Sequence, residues 1–145
     1  MASTRMAIVV RRDLRMPSGL LAAQVLHVGM LFVQDMVENR SSGSHEPKNP
    51  NVEGGPYLMA TETEVDWIMT PYVAVLAVDT PEELAAVQKM AEDEKLPVRV
   101  WKDVVPSKVL EGRVLECVVG ISIGPADSDQ IRKATGTLPL YGDEK

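Results

Sequence analysis

Runs of apolar residues separated by polar and charged breaks divide this chain into short segments. Met6 to Val10 is an unbroken apolar run rich in β-branched residues, which predicts a buried strand. Pro17-Ser18-Gly19 interrupts the chain and can start a helix. Leu20 to about Asn39 reads as that helix. It is apolar almost all round until Gln34, so it is expected to be covered on more than one side. A strand feeding straight into a buried helix is the opening of an α/β unit. Arg40 to Pro56, with Ser-Ser-Gly-Ser, Pro47, Pro50 and Gly54-Gly55-Pro56, has the composition of a long polar loop.

The second half is more sharply punctuated. Glu62 to Met69 predicts a short helix around Trp67, and Tyr72 to Val78 a second apolar strand. Thr80-Pro81-Glu82-Glu83 is the strongest local signal. Thr80 can cap, Pro81 suits the first helical position, and Glu83 completes a capping box. That helix is expected to run to about Lys95 with Leu84, Val87 and Met90 on one face, until Leu96-Pro97 ends it. Val98 to Trp101 predicts a third strand and Arg113 to Ile123 a longer fourth. Asp127 or Ser128 caps a last helix that places Ile131 inward and stops at Gly136. There is no internal repeat. The order predicts an α/β fold of three layers, with four strands in one sheet and helices on its faces.

Composition narrows this picture. A length of 145 residues suits one domain, and a hydrophobic fraction of 45% suffices for a real core. Aromatic residues make up only 4%, so Val, Leu, Ile, Ala and Met must fill that core. The single cysteine, Cys117, excludes an internal disulfide. Lying in an apolar run, it reads as a small buried hydrophobe, which fits a reducing compartment. Arg11 and Arg12 break the first apolar stretch too early for a signal-peptide layout. Leu20 to Val33 contains Gln24 and His27 and is expected to be too short to span a bilayer comfortably. A cytoplasmic protein with no membrane partner is the expectation. The net charge of −6 argues against general nucleic-acid binding. Residues 1–15 depart from it: Arg5, Arg11, Arg12 and Arg15 face Asp13 alone, a local +3 against −9 for the remainder. That excess is either ordinary strand-end charge or an anion site.

The candidate chemistry centres on His27. It lies two turns inside the first helix, and Gln24, three residues earlier, shares its face. Such a histidine is either a satisfied core residue or a proton relay, and a relay needs a partner that orients the ring. Asp103, expected at the end of the third strand, can be that partner; its alternative role is a turn or strand-end cap. If the first and third strands are parallel, Asp13, the start of the first helix and Asp103 converge on the carboxyl edge of the sheet, where ligands of open α/β sheets bind. Ser107 adds a hydroxyl to the following loop. With no Gly-x-Ser-x-Gly elbow around it, it suits hydrogen bonding or water positioning better than attack. No metal spacing exists between His27, His45 and Cys117, and Gly54-Gly55 runs into Pro56 rather than into a phosphate-loop lysine. No cofactor is expected, and His45 reads as a solvated loop residue.

These residues also carry a resemblance. Val9-Val10-Arg11, Asp13-Leu14 and Met16, then Gly19, then Ala22-Ala23-Gln24 and His27, followed far downstream by Asp103, by Ile123-Gly124-Pro125-Ala126 and by Thr135-Gly136-Thr137-Leu138, make the chain similar to the type II peptidyl-tRNA hydrolase family. The similarity covers most of residues 5–40 and 72–141. It implies a four-stranded mixed sheet between helices, and hydrolysis of the ester that joins a peptide to the terminal ribose of tRNA. It implies that His27 and Asp103 form the catalytic pair, with Ser107 where the family has threonine. Arg11, Asp13, Arg15, Ser18, Gln24 and Lys108 are the candidate substrate-binding residues, peptidyl-tRNA or a related RNA ester is the partner, and a homodimer is the implied assembly. Ser18 and Leu20 stand where the family has the lysines of Gly-Lys-Gly-Lys, and Val104-Val105-Pro106 replaces its Ala-Gly-Arg. The alternative is a relative without catalysis that serves as a binding or regulatory module.

Overall fold

The computed structural model describes residues 3–39, 41–42, 57–58, 60–106 and 114–143. Ser107, Lys108, His45 and nearly all of the expected 40–56 loop lie outside the described residues. Strand β1 (Thr4–Arg11) is buried from Met6 to Arg11, as its unbroken apolar run requires of a central strand. A 3₁₀ turn, Arg12–Leu14, follows it, and Arg15 closes the turn in the left-handed region at φ 50°. Helix α1 spans Ser18–Asn39 and starts beside Pro17, as expected. Helix α2 (Glu62–Met69) leads to β2 (Val73–Val78), α3 (Pro81–Asp93), β3 (Val98–Pro106), β4 (Val114–Asp127) and α4 (Ser128–Thr135). Ser41–Ser42 and Tyr57–Leu58 form a separate two-residue antiparallel pair.

The main sheet runs in the order β2-β1-β4-β3. β1 pairs parallel with β2 and antiparallel with β4, and β4 pairs antiparallel with β3. The sheet is therefore mixed, and β1 and β3 point the same way although β4 separates them. Alternation along β1 feeds two cores. Ala7 and Val9 pack with Leu84, Val87, Ala91, Ile121, Ile123, Ile131 and Ala134 under α3 and α4. Met6, Ile8 and Val10 pack with Val28, Phe32, Met36 and Val119 under α1. This is the expected α/β/α layering, with each sheet face closed by its own helices.

Local signals explain several boundaries, and some differ from expectation. Thr80 Oγ1 caps α3 by accepting the Glu83 N–H at 3.0 Å, but the Glu83 carboxylate takes the Asp79 N–H (3.2 Å), so the expected box is only half made. The reciprocal box occurs instead at Thr61 and Glu64, where both bonds are present. α4 is capped by Asp127, which accepts the Asp129 N–H at 2.8 Å. β3 and β4 run further than the sequence pattern suggests, so Asp103 lies inside β3 rather than at its end. One residue more is used on β4 than on β3 between the pairs Trp101–Gly120 and Lys102–Val118, a bulge at Val119. The outer edge of β2 is not bare. Ala77 donates to Pro139 O, Tyr141 donates to Val75 O, and Leu76 bridges Leu140 antiparallel.

α1 is longer than the apolar run Leu20 to Val33 that reads as short for a bilayer. At 22 residues, with an 18-residue stretch of mean hydropathy 1.6, it is long and apolar enough, by length and composition alone, to cross a membrane. Its buried residues, Gln24, Val28, Phe32 and Met36, recur every fourth position and form the stripe that lies on the sheet.

Candidate active site

The site begins with one row across the sheet. Val10 of β1 and Trp101 of β3 both pair with Gly120 of β4. Gly120 is required there: a Cβ would stand 2.7 Å from Val9 O and 3.4 Å from Val28 Cγ2. Its bare backbone lets α1 settle onto the sheet at Val28. One turn earlier on the same stripe, Gln24 then reaches β3. On that strand Trp101 and Asp103, two residues apart, share the α1 face of the sheet.

Gln24 is the hub. Its Nε2 donates to Asp103 Oδ2 at 2.9 Å, and its Oε1 accepts from Trp101 Nε1 at 2.7 Å. His27 Nδ1 lies 3.4 Å from the same Oε1, and its ring sits 4.9 Å from the Trp101 ring, centroid to centroid. The expected partners His27 and Asp103 are thus brought to one place, but through the Gln24 carboxamide rather than by a direct bond. Asp103 Oδ1 accepts the Val104 N–H at 2.7 Å. The Gln24 hydrogen bond, then that of Val104, hold the Asp103 carboxyl below its ordinary range, and the nearby His27 acts in the same direction. Gln24 is 2% exposed, whereas His27 is exposed to solvent.

Arg11 and Asp13 stand at the carboxyl end of β1. Arg11 Nε and Nη2 donate to the two Asp13 oxygens at 3.1 and 2.7 Å, and Nη1 donates to Val118 O at 3.4 Å. The Asp13 hydrogen bonds raise the Arg11 pKa further, so this buried guanidinium is a fixed charge engaged within the fold. Cys117 faces Asp103 across the sheet and is partly buried, and burial pushes its thiol up in pKa. Arg12 is taken up by Asp79, with bonds of 2.7 and 2.9 Å.

Arg15 and Ser18 are exposed. Arg15, Asp13, Arg12 and Asp79 line an open cleft of about 900 Å³ with Thr137, Leu138, Pro139 and Asp143. Gln24, His27 and Asp103 do not line it. Among the described residues no three His, Cys, Asp or Glu side chains converge as metal ligands. The sequence pattern assigns no role to Trp101, whose N–H fixes the hub. Its spacing of two from Asp103 was the available signal.

Comparisons with known proteins agree with this architecture. The family model described as Peptidyl-tRNA hydrolase PTH2 matches residues 4–141. A protein named peptidyl-tRNA hydrolase from Haloquadratum walsbyi is 30% identical over 137 residues, covering 94% of this chain and 99% of its own. One of the same name from Sulfurisphaera tokodaii is 30% identical over 138 residues (95% and 98% covered), and one from Saccharolobus islandicus is 29% identical over 136 residues (94% and 98%). A solved structure of a protein of unknown function from Agrobacterium strain C58 shares the fold, with a TM-score of 0.51, 15% identity, and 97% and 99% of the two chains covered. With nearly its whole length matched, the chain belongs to the peptidyl-tRNA hydrolase PTH2 family.

Proposed function

We propose that this protein hydrolyses the ester between a peptidyl group and the terminal ribose of tRNA, with His27 as the base. The observation that carries the proposal is the Asp103–Gln24–His27 chain between β3 and α1, in a member of this family. In the proposed reaction the imidazole takes a proton from water as the water oxygen bonds to the ester carbonyl carbon. The imidazolium returns that proton to the ribose oxygen as the ester bond breaks. The Asp103 carboxylate, acting through the Gln24 amide, offsets the positive charge that the ring carries between those steps. Arg15 and Ser18, exposed beyond the carboxyl end of β1, are the proposed contacts to the tRNA portion, and Arg11 holds Asp13 in place for them. Ser107 and Lys108, outside the described residues, remain proposed as water-positioning and substrate-binding groups.

Incubation with a peptidyl-tRNA tests the proposal. The parent should release free tRNA, and His27→Ala should lower the rate about 10²-fold or more, the range of general base catalysis. Equal rates would remove His27 from the mechanism. No turnover by the parent would favour a binding or regulatory module instead.

The assembly we propose is a homodimer. Its support is the outer surface of α1, where Leu26 is 63% and Val37 49% exposed, beside a similarly exposed Met30. Light scattering at micromolar concentration checks it: a monomer mass would overturn this part of the reading.

A further inference from the structure

We propose that Trp101 is a positioning residue that sets the tautomer of His27 through the Gln24 carboxamide. The inference rests on the hydrolase reading for its consequence, but not for its geometry.

Donor and acceptor types alone fix the orientation of the Gln24 amide. An indole N–H can only donate, and an ionised carboxylate can only accept. Trp101 Nε1 meets one end of the Gln24 amide at 2.7 Å and Asp103 Oδ2 meets the other at 2.9 Å. Turning the amide over would set its NH₂ against the indole N–H and its oxygen against the carboxylate, two repulsive contacts in a site where Gln24 is 2% exposed. Asp103 is itself fixed, because its other oxygen accepts the Val104 N–H. The end of Gln24 that faces His27 is therefore an oxygen, at 3.4 Å from Nδ1. An oxygen there satisfies only a protonated Nδ1. The neutral ring then carries its hydrogen on Nδ1 and its lone pair on Nε2, the nitrogen that Gln24 does not engage and that this exposed side chain offers to water.

For ester hydrolysis the consequence is direct. A base must present a lone pair, and a ring holding its proton on Nε2 cannot take one from water there. Without Trp101 the amide is held at one end only, by Asp103, and the tautomer preference of the ring weakens toward the mixture it has in water. The Trp101 ring also packs 4.9 Å from the imidazole, centroid to centroid, so only the effect of its N–H is carried through Gln24.

Nitrogen-15 NMR of the histidine side chains, in the intact protein above the pH at which the rings titrate, tests this without substrate. The parent should show a protonated Nδ1 and an unprotonated Nε2 for His27. Trp101→Phe keeps a ring beside the imidazole but removes the N–H, and should shift His27 toward the Nε2-protonated form. In Asp103→Asn one side-chain oxygen must serve either the Val104 N–H or the Gln24 NH₂, but Trp101 still donates to the Gln24 oxygen, so the parent tautomer should stay dominant. A parent ring protonated on Nε2, or an unchanged tautomer in a folded Trp101→Phe protein, would overturn the proposal. In turnover, Trp101→Phe should lower kcat with KM unchanged, by part of the about 10²-fold or more expected for His27→Ala. If the parent holds the predicted tautomer but releases no tRNA, the positioning role stands and the hydrolase reading falls.

Discussion

Helices α3 and α1 cover opposite faces of one sheet, and they do so differently. α3 turns Leu84, Val87 and Ala91 inward and keeps Glu82, Glu83, Glu92 and a Lys89–Asp93 ion pair (2.9 Å) in water. α1 turns Gln24, Val28, Phe32 and Met36 inward and leaves Leu26, Met30 and Val37 exposed. The α3 face is sealed by apolar packing alone. The α1 face ends in a polar hub, and its helix is apolar where a helix in water is ordinarily polar. Both faces carry a packed core, but the polar hub lies only on the α1 side, so substitutions at Leu84 and around Gln24 should separate in what they change.

The largest expected effect lies on the α3 face. Leu84→Ala should lower the free energy of unfolding by about 2–5 kcal/mol, read from the urea midpoint. Leu26→Ser, at a side chain 63% exposed on α1, should move it by no more than about 0.5 kcal/mol at concentrations where the chain is monomeric, and by more where the proposed homodimer covers α1. A cost at Leu26 as large as at Leu84 would mean that the outer surface of α1 is covered in solution. Gly124→Ala comes next. Gly124 has φ 108°, and a Cβ there would stand 2.7 Å from Arg5 O and 3.2 Å from Ile131 Cδ1 of α4. We expect a loss of about 1–3 kcal/mol by thermal denaturation, with the His27 site unaffected.

Much of this architecture is readable from the chain, for physical reasons. β1, α1, β2 and α3 were expected close to their observed bounds because each is long, periodic or flanked by Pro. The parts that escape reading depend on contacts between distant residues. β3 continues past Trp101 although Lys102 and Asp103 break its apolar run, because it is an edge strand whose ladder with β4 holds it. The strand-like pairing of Leu140 beside β2 is backbone bonding with no periodic signature. At the site, His27, Gln24 and Asp103 were visible as residue types with suitable spacing. That Gln24 stands between the other two was not, because the bulge at Val119 and the close approach at Gly120 decide it.

Smaller effects sharpen the contrast on the α1 face. Asp103 titrates below its ordinary value of 3.8, chiefly through the Gln24 hydrogen bond. Its ionised form is therefore favoured by folding. The stability this contributes is complete above the unfolded pKa and is lost as the pH falls through the lower folded value. Melting temperatures measured from about pH 5 to pH 3 should thus fall less steeply in Gln24→Leu than in the parent. Parallel curves would show that the carboxylate gains nothing from the amide. The smallest change is at Ser122, whose buried Oγ has no hydrogen-bond partner among the described residues. Ser122→Ala should leave the midpoint unchanged or raise it slightly, because no bond is lost and a desolvated hydroxyl is removed.

The place of β1 in the middle of the sheet bears on how the protein is made. Its parallel neighbour, Val73–Val78, and its antiparallel neighbour, Val114–Asp127, are both translated long after it. The ribosome therefore releases an oily strand that waits through about half of the chain for its parallel mate and through most of it for its antiparallel one. Stepwise-arrested nascent chains should show the Val9 and Val10 amides exchanging freely at every length that stops short of β2, and both protected only beyond β4.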